Sequence, residues 1–576
     1  MEASSGPNYW LPDSVTKTAY SGIGGGEYFD DAIPDYAVIW RGWDWYEDDA
    51  DNPGVYNWTP IDNILTNNAA LGKTVELRPV TGSRSSSEAA FYHVPEQYES
   101  YLSEVQIPNT TRFQANVWHP VVASAYNNFI SALGARYADD DRIESVLIHG
   151  LSRSAGDEFL LEPSTDIQAL ADAFSGGDTD ALRVDIQQWI EKRMDAYAAA
   201  FEGQEHKVVW VGHNGDKWSI YMSQTWPAWQ TMNVHLIDYA LNLGFGVRGG
   251  THTKCITCNL YNDTFGFSVD ADGYQLVDDS GDQFDGRYLG EETEAVYGDD
   301  DDDAERLRLS VYRGLQMRAT HIYVSTDPEV DTDTYTIDPD LWDYCRLGLG
   351  KTVETTSEAW AVLWEQDISD SHPQLIDGGD SVIRNYERWL IQRDVTGGVT
   401  VPAEFHASTN GGAGFGWEVA PYGFYTARRT DKATGNSRIF FQADVEFAID
   451  VPIRILVECY ESAASTWCIE YHDGDEVTGT ETYTTSADSK IRTAYVDLDG
   501  IQAGGLSNGY DFAIKLDDAS ANDVTVRMVR VVQRDEMPVS INAERADLTA
   551  AFTKTASLSV AFDKTASLTT TLREDS

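Results

Sequence analysis

The run Tyr36-Ala-Val-Ile-Trp-Arg41, the segment from Pro60 to Leu71 and the run Gly72-Lys-Thr-Val-Glu-Leu-Arg78 together decide the fold class. The first and last are short and rich in β-branched and aromatic residues, which is typical of buried strands. The middle segment places Ile61 and Leu65 on one helical face and ends at a glycine. Strand, helix and strand in this order predict a βα unit in a parallel sheet.

The same alternation continues to about residue 375, and eight strands can be assigned to it. The predicted strands are Thr18–Ile23, Tyr36–Trp40, Thr74–Arg78, Ser145–His149, Val208–Gly212, Gly244–Arg248, Arg287–Gly290 and Thr320–Ser325. Eight βα repeats in about 350 residues predict a (β/α)8 TIM barrel over residues 1–375. The competing fold is an open doubly wound sheet, but Gly24-Gly25-Gly26 lacks the spacing of a phosphate-binding turn. We therefore expect no nucleotide cofactor.

Residues 376–535 have a different sequence pattern, with short alternating runs separated by Gly, Asn and Asp turns and no helical segments. This pattern predicts an antiparallel, jelly-roll β-sandwich. Its texture resembles the carbohydrate-binding modules that are appended to many polysaccharide-active enzymes. A purely structural sandwich is the alternative.

Residues 536–576 repeat every ten residues, as in Ala546-Asp-Leu-Thr549, Ala556-Ser-Leu-Ser559 and Ala566-Ser-Leu-Thr569. Each repeat is a short alternating strand and a turn, too small to bury its apolar face alone. We therefore expect this tail to mediate homo-oligomerisation or docking into a larger assembly. A disordered tail is the alternative.

Charge restricts the partners, because 94 acidic residues against 41 basic ones give a net charge of −53. Such a surplus repels nucleic acid and anionic membranes, so neither is expected as a partner. Acidic residues spread over the chain, with Arg outnumbering Lys, resemble adaptation to molar salt, where the Debye length falls to about 3 Å. We expect a halophilic archaeal source or its virus.

The prediction of localisation rests on two features. The first residues lack the basic head and apolar stretch of a secretory signal peptide, and the chain has no run of about 18 apolar residues that could span a membrane. We expect an extracellular or virion-surface protein in a high-salt environment. No metal is expected either, since Cys255-Ile-Thr-Cys258 has the spacing of one half of a zinc site and no second Cys or His pair matches it. Cys345, Cys459 and Cys468 have apolar or strand-like neighbours and are predicted to fill cores.

Functional groups of a (β/α)8 barrel gather where its strands end. The predicted strand ends, or the loops after them, carry two acidic segments, Asp157-Glu158 and Gly290-Glu291-Glu292. Two carboxyl groups facing each other can cleave a glycosidic bond, one as acid and one as nucleophile or base. The same ends carry candidate sugar-binding residues, namely Arg41, Trp43, Trp45, Arg78, His149, His213, Asn214, Arg248 and Tyr323. Glu76 and Arg78 share a strand face, which predicts an ion pair inside the barrel.

Several motifs resemble the opening of clan-A glycoside hydrolases, above all the β-galactosidase-like members. They are Tyr36-Ala-Val-Ile-Trp-Arg41, Asn52-Pro-Gly-Val-Tyr-Asn-Trp58 and Gly72-Lys-Thr-Val-Glu-Leu-Arg78. The resemblance implies that Glu158 is the acid/base and that Glu291 or Glu292 is the nucleophile. Glu291 is preferred because it directly follows Gly290. A sugar contact or an ion pair with Arg153 stays open for Glu158, since Asp157 stands where the family usually has Asn.

Two hypotheses follow for function. The first is a retaining glycoside hydrolase that acts on surface or extracellular polysaccharide without a cofactor. The second is a non-catalytic virion surface protein, such as a fibre, spike or turret, that binds host glycans. The repetitive tail and the altered acid/base motif favour the second, whereas the paired acidic segments favour the first.

Overall fold

A closed barrel of eight parallel strands forms one part of the protein. The computed structural model describes residues 1–5, 9–12, 14–18, 20–26, 34–81, 84–85, 93–106, 112–148, 164–211, 227–248, 267–269, 272, 274–277, 287–293, 301–324, 339–367, 382–406 and 424–534. The barrel strands are β1 (Gly22–Gly26), β2 (Tyr36–Gly42), β3 (Thr74–Val80), β4 (Ile143–Ile148), β5 (Val208–Val211), β6 (Gly246–Arg248), β7 (Leu289–Thr293) and β8 (His321–Val324). Each pairs in parallel with the next, and β8 closes the barrel on β1.

The closed barrel confirms the predicted parallel architecture against the open sheet, because each of the eight predicted strands overlaps an observed one. The strand bounds differ from the predicted ones, most of all in β1 and β7. Strand β1 begins at Gly22 rather than Thr18, and β7 continues to Thr293. Glu291 and Glu292 therefore lie within β7 and not beyond its end.

The helices of the described chain occupy the segments between the barrel strands, and the last one follows β8. They are Trp43–Tyr46, Thr59–Ala70, Glu96–Glu99, Pro120–Tyr137, Ser164–Phe174, Thr179–Ala200, Pro227–Asn242, Asp301–Gln316 and Pro339–Gly348, with 3-10 turns at Glu205–Lys207 and Lys432–Thr434. Local signals fix their ends. Pro60 stands in the first turn of its helix, which stops before Gly72 in the left-handed region (φ 75°).

Short strands interrupt two of the loops that follow barrel strands. After β3, Arg84–Ser85, Glu104–Gln106 and Arg112–Ala115 form a three-stranded antiparallel sheet. After β6, Phe267–Val269 pairs with Gln275–Val277 as a hairpin. Both insertions lie on loops that leave the barrel at the carboxyl ends of its strands.

Two antiparallel sheets form the other part of the protein. The first contains Glu2–Ser5, Ile491–Leu498, Ile453–Tyr460, Thr525–Gln533, Glu358–Asp367, Phe424–Arg429 and Val401–His406 in that order, with Val382–Arg388 also paired to Glu358–Asp367. The second contains Leu390–Gln392, Arg438–Ala443, Phe512–Leu516, Thr466–His472 and Val477–Gly479, with Tyr483–Thr484 paired to Thr466–His472. An apolar cluster that includes Ile455, Val529 and Phe441 is buried by strands of both sheets.

Two strands of the first sheet come from the range predicted for the barrel. Glu2–Ser5 extends the sheet at one edge by pairing with Ile491–Leu498. Glu358–Asp367, on the barrel side of the predicted boundary at residue 375, pairs with Thr525–Gln533. Long-range strand pairing decides this arrangement, and periodicity along the chain does not reveal it.

The barrel and the first sheet share a buried core. Ile23 of β1 and Ile322 of β8 belong to the same apolar cluster as Trp360, Trp364 and Met528 of the sheet. A buried ion pair joins the same parts, with Arg308 of the helix Asp301–Gln316 lying 2.9 Å from Glu458 of the sheet. The sheets therefore continue the packing of the barrel.

Three further features concern membrane spans, metal sites and cysteines. No described helix is long and apolar enough to cross a membrane. Among the described residues, no group of three or more His, Cys, Asp and Glu side chains could hold a metal ion. Cys345 and Cys459 are buried free thiols in apolar clusters, which confirms their predicted role as core residues. Cys255, Cys258 and the repetitive tail lie outside the described residues.

Candidate functional site

The barrel interior is polar on β3. Strand residues alternate between faces, and Val75 and Leu77 belong to the apolar cluster shared with the surrounding helices. Glu76 and Arg78 belong to the opposite face, and both side chains are fully buried. The Arg78 Nε donates a hydrogen bond of 2.7 Å to Glu76 Oε1. This contact confirms the predicted ion pair inside the barrel.

Three strands supply the upper layer of the interior. Arg78 comes from β3, Arg248 is the last residue of β6, and Tyr323 lies near the end of β8. The guanidinium carbons of Arg78 and Arg248 lie 4.7 Å and 5.0 Å from the centre of the Tyr323 ring. An aromatic face attracts cations, so this ring helps to hold two positive groups together. The structure thus brings three of the sequence-predicted residues into one cluster.

Glu76 lies in the same charge cluster. Burial alone raises its pKa, but Arg78, Arg248 and hydrogen bonds from Arg78 and Ser145 lower it below the ordinary value. Both carboxylate oxygens are engaged, since Oε1 accepts from Arg78 and Oε2 accepts from the Ser145 hydroxyl at 2.9 Å. Glu76 is therefore an ionised structural anion and does not fit the part of a nucleophile.

Aromatic rings fill the interior below this layer. The hydroxyls of Tyr36 and Tyr288 lie 3.2 Å apart, and the Tyr288 ring stacks on His321 at 4.0 Å. Burial raises the pKa of Tyr36 and of Tyr288 well above the ordinary tyrosine value, so both hydroxyls stay protonated. Tyr36 and His321 are the first residues of β2 and β8, which puts these rings at the amino end of the barrel.

A carboxylate completes this lower layer. His321 Nε2 lies 2.9 Å from Glu144 Oε1, and the Thr74 hydroxyl donates to Glu144 Oε2 at 2.7 Å. Burial raises the pKa of Glu144, but its contacts with His321 and Thr74 lower it below the ordinary value. Together with the tyrosines, these groups pack the amino end of the barrel interior.

Glycines make room for the packed rings. A Cβ atom at Gly290 would lie 2.0 Å from a ring carbon of Tyr288, and one at Gly24 would lie 2.4 Å from the Tyr36 ring. Real Cβ atoms do not approach so closely, so both positions exclude a side chain while the rings stay in place. Neither the tyrosine pair nor this requirement was recognised in the sequence. The signal available was a tyrosine within the first two residues of two predicted strands, Tyr36 and Tyr288.

The register of β7 bears on the two candidate nucleophiles. Glu291 is paired with Ile322 of β8, and Glu292 is paired with Tyr323. Ile322 belongs to an apolar cluster shared with the surrounding helices and the first sheet, whereas Tyr323 clusters with Tyr36 in the interior. Since paired residues share a face of the sheet, the position of Glu292 belongs to the interior set. The register thus favours Glu292, whereas the sequence analysis preferred Glu291.

The end of β2 contributes in a different way. Arg41 is the next-to-last residue of the strand, and its guanidinium lies 5.1 Å from the centre of the partly buried Trp45 ring. Trp43 is fully buried, stacks on Tyr98 at 5.1 Å and donates its indole N–H to Glu47. The predicted sugar-stacking role does not fit Trp43, which packs in the core outside the barrel, and that of Trp45 stays a prediction.

The remaining predicted residues, Glu158, His149, His213 and Asn214, lie outside the described part of the chain. Strand β4 ends at Ile148 and β5 ends at Val211, so these residues follow two neighbouring strands at the carboxyl end. Their roles stay predictions.

No family model matches the chain, and no curated protein matches it. Among solved structures, it is similar to a thermostable mutant of a xylanase from Cellvibrio japonicus, with 12% identity, 58% of this chain and 99% of that chain covered, and a TM-score of 0.32. It is similar to endo-glycoceramidase II from Rhodococcus sp., with 11% identity, 91% and 100% covered, and a TM-score of 0.30. It is also similar to the GH36 alpha-galactosidase AgaB from Geobacillus stearothermophilus, with 11% identity, 90% and 56% covered, and a TM-score of 0.33. All three are glycoside hydrolases.

Proposed function

We propose that this chain is a glycan-directed protein that hydrolyses glycosidic bonds by a retaining double displacement at the carboxyl end of the barrel. The observation that carries the proposal is the polar upper layer of Glu76, Arg78, Arg248 and Tyr323, with the position of Glu292 in register with Tyr323. The aromatic layer below packs the other end. In (β/α)8 enzymes, reactive groups stand at this carboxyl end.

Two carboxyl groups carry the proposed reaction. Glu158 protonates the leaving oxygen and then activates water, while Glu292 attacks the anomeric carbon, with Glu291 as the alternative nucleophile. Register supports Glu292. Arg78 and Arg248 lower the pKa of Glu76, so the upper layer stabilises a buried negative charge.

We assign binding of the sugar to groups around the carboxyl end of the barrel. Trp45 offers an aromatic face for the C–H surface of a pyranose ring. Arg41, His149, His213 and Asn214 are proposed to hold hydroxyls or acidic substituents. The substrate class is a surface or extracellular polysaccharide, and the surplus of negative charge supports assays in molar salt.

The test is a set of amide variants assayed on a panel of polysaccharides in molar salt. Glu292→Gln and Glu158→Gln are each expected to lower kcat by at least about 10³-fold, because each removes an acid, base or nucleophile. Glu291→Gln is the matched control and should stay within a few fold of the wild type. Retention is checked by NMR of the first anomer released. Full activity of Glu292→Gln, or loss only in Glu291→Gln, would reject the assignment.

A second candidate is a non-catalytic glycan-binding protein of a virion surface. The ten-residue repeats between residues 546 and 569 favour it, because such units need copies of themselves or a larger assembly to bury their apolar faces. Sedimentation of the full chain and of a chain truncated after residue 538 tests assembly. Loss of a multimer on truncation, together with tight glycan binding and no turnover, would support this second function over the first.

A further inference from the structure

The hairpin in the loop between β6 and β7 is attached to the antiparallel sheets through Tyr274. Its backbone forms a parallel bridge with Arg384 of the strand Val382–Arg388. The backbone N–H of Asp394 donates to the Tyr274 hydroxyl at 3.2 Å, and the Arg393 guanidinium lies 4.2 Å from the centre of the ring. The side chain is almost completely buried, so it is enclosed by the region it contacts.

The surface that receives Tyr274 is a charge-balanced socket of three arginines and three acids, namely Arg384, Arg393, Arg428, Glu365, Glu387 and Asp394. Its ion pairs are short: 2.9 Å from Arg384 to Glu365, 2.7 Å from Arg393 to Glu387, and 3.1 Å from Arg428 to Asp394. Every acid of the socket contacts an arginine, so the arginines are held in place before the ring packs against them. A fixed socket of this kind orients the residue that enters it.

The loop attached in this way has both ends in the polar interior. It begins after Arg248, the last residue of β6, and it ends at Tyr288, directly before β7. Arg248 contacts Tyr323 in the upper layer, and Tyr288 stacks on His321 in the lower layer. The hairpin thus belongs to the segment that joins Arg248 to β7, the strand that carries Glu291 and Glu292.

We propose that Tyr274 is a positioning residue through which the antiparallel sheets fix the β6–β7 loop and the entry of the chain into β7. On this view the sheets serve the barrel site mechanically, whether or not they bind sugar themselves. The effect on catalysis rests on the proposed function, but the anchoring of the loop does not.

The test compares Tyr274→Leu, Tyr274→Phe and the wild type by hydrogen–deuterium exchange of the full chain in molar salt. Tyr274→Leu removes both the ring contact with Arg393 and the hydroxyl, so exchange of amides in residues 267–277 and 289–293 should rise about tenfold. Tyr274→Phe keeps the ring and should restore most of the protection. Tyr425→Leu is the matched control. Tyr425 lies on the first sheet, to which Arg384 also belongs, and its ring packs against Phe405.

Exchange in Tyr274→Leu that stays within twofold of the wild type would overturn the proposal, as would an equal rise in Tyr425→Leu. A rise in exchange over the whole chain would also overturn it, since it would indicate general destabilisation. With a substrate in hand, Tyr274→Leu should lower kcat more than it changes KM, and Tyr274→Phe should rescue kcat. A wild type without turnover would reject the hydrolase, while the exchange measurement would still decide the role of Tyr274.

Discussion

The barrel interior and the core between the two antiparallel sheets are both fully buried, but they are built from opposite chemistry. The sheets enclose aliphatic and aromatic residues such as Ile455, Val529 and Phe441. The barrel encloses an ion pair, Glu76 with Arg78, and a second arginine at Arg248. Large branched residues usually fill a barrel of this type, so the polar interior is the exception.

Because of this difference, the sheet core and the barrel interior contribute to the protein in different ways. Apolar burial stabilises a core roughly in proportion to the area removed from water. A buried ion pair gives little net stability, yet breaking it by removing one partner is strongly destabilising. The sheet core thus contributes stability, while the barrel interior contributes charges whose positions are fixed. The stability of the two regions should therefore respond differently to the removal of a side chain, to acidification and to the enlargement of a side chain.

The largest effect is expected for Arg78→Met, which leaves the buried Glu76 without its nearest positive partner. We expect a loss of about 3–5 kcal/mol in the free energy of unfolding, measured by urea denaturation in molar salt. The double variant Glu76→Leu/Arg78→Met is the control and should recover most of that loss. If the single and double variants were equally unstable, the loss would be one of packing and the contrast between the two regions would fail.

A smaller loss is expected for Gly290→Ala, because its new methyl group would meet the Tyr288 ring at 2.0 Å. Overpacking of this kind costs about 1–3 kcal/mol. Gly479→Ala, on a strand of the second sheet, is the matched control, since its nearest neighbour is Cys468 Sγ at 3.5 Å. Thermal unfolding of both variants checks the prediction, and equal shifts in Tm would contradict it.

The sheet core is expected to respond mildly to a conservative deletion. Ile455→Val removes one methylene from a fully buried side chain and should cost about 0.5–1.5 kcal/mol in the free energy of unfolding. Exposed Val477 provides the reference, because Val477→Ala removes apolar surface that solvent already contacts. A loss at Ile455 no larger than at Val477 would mean that this core is loosely packed.

The smallest effects concern pH: substitutions of Glu76 and Glu387 should change the dependence of the unfolding free energy on pH in opposite directions. The pKa of Glu76 is lowered in the folded chain, so its contribution is present above the ordinary value of 4.5 and is lost as the pH falls through the folded pKa. Burial raises the pKa of Glu387 in the sheets, against the opposing effect of Arg393, so acidification relieves its cost. Urea titrations from pH 7 to about pH 3 should therefore show a shallower acid loss in Glu76→Gln than in the wild type, and a steeper one in Glu387→Gln. A change of the acid slope in the same direction in both variants would contradict this.

Sequence reasoning recovered the parts of the barrel that local patterns encode. All eight strands were located, and the ion pair between Glu76 and Arg78 followed from their separation by two residues on one strand. Arg248 and Tyr323 were identified because they stand near the ends of predicted strands. In each case the information lay within a few residues of the position concerned.

Other features escaped because distant segments decide them. Trp43 looked like a ligand-stacking residue beyond a strand end, but Tyr98 and Glu47 enclose it. Tyr288 lies outside any strand, and its interior position depends on Tyr36 and His321. These contacts link residues far apart in the chain, so the periodicity of the sequence does not predict them.

The sequence by itself determined the strand and helix segments, the change of texture beyond residue 375 and the large negative charge, because propensity, periodicity and composition act locally. Only the tertiary structure decided that the parallel strands close into a barrel, that Glu2–Ser5 joins the sheet, and that Glu292 is paired with Tyr323. The physical reason is that strand register and closure depend on hydrogen bonds and packing between segments distant in the chain. A shift of one residue in such a register exchanges the two faces of a strand.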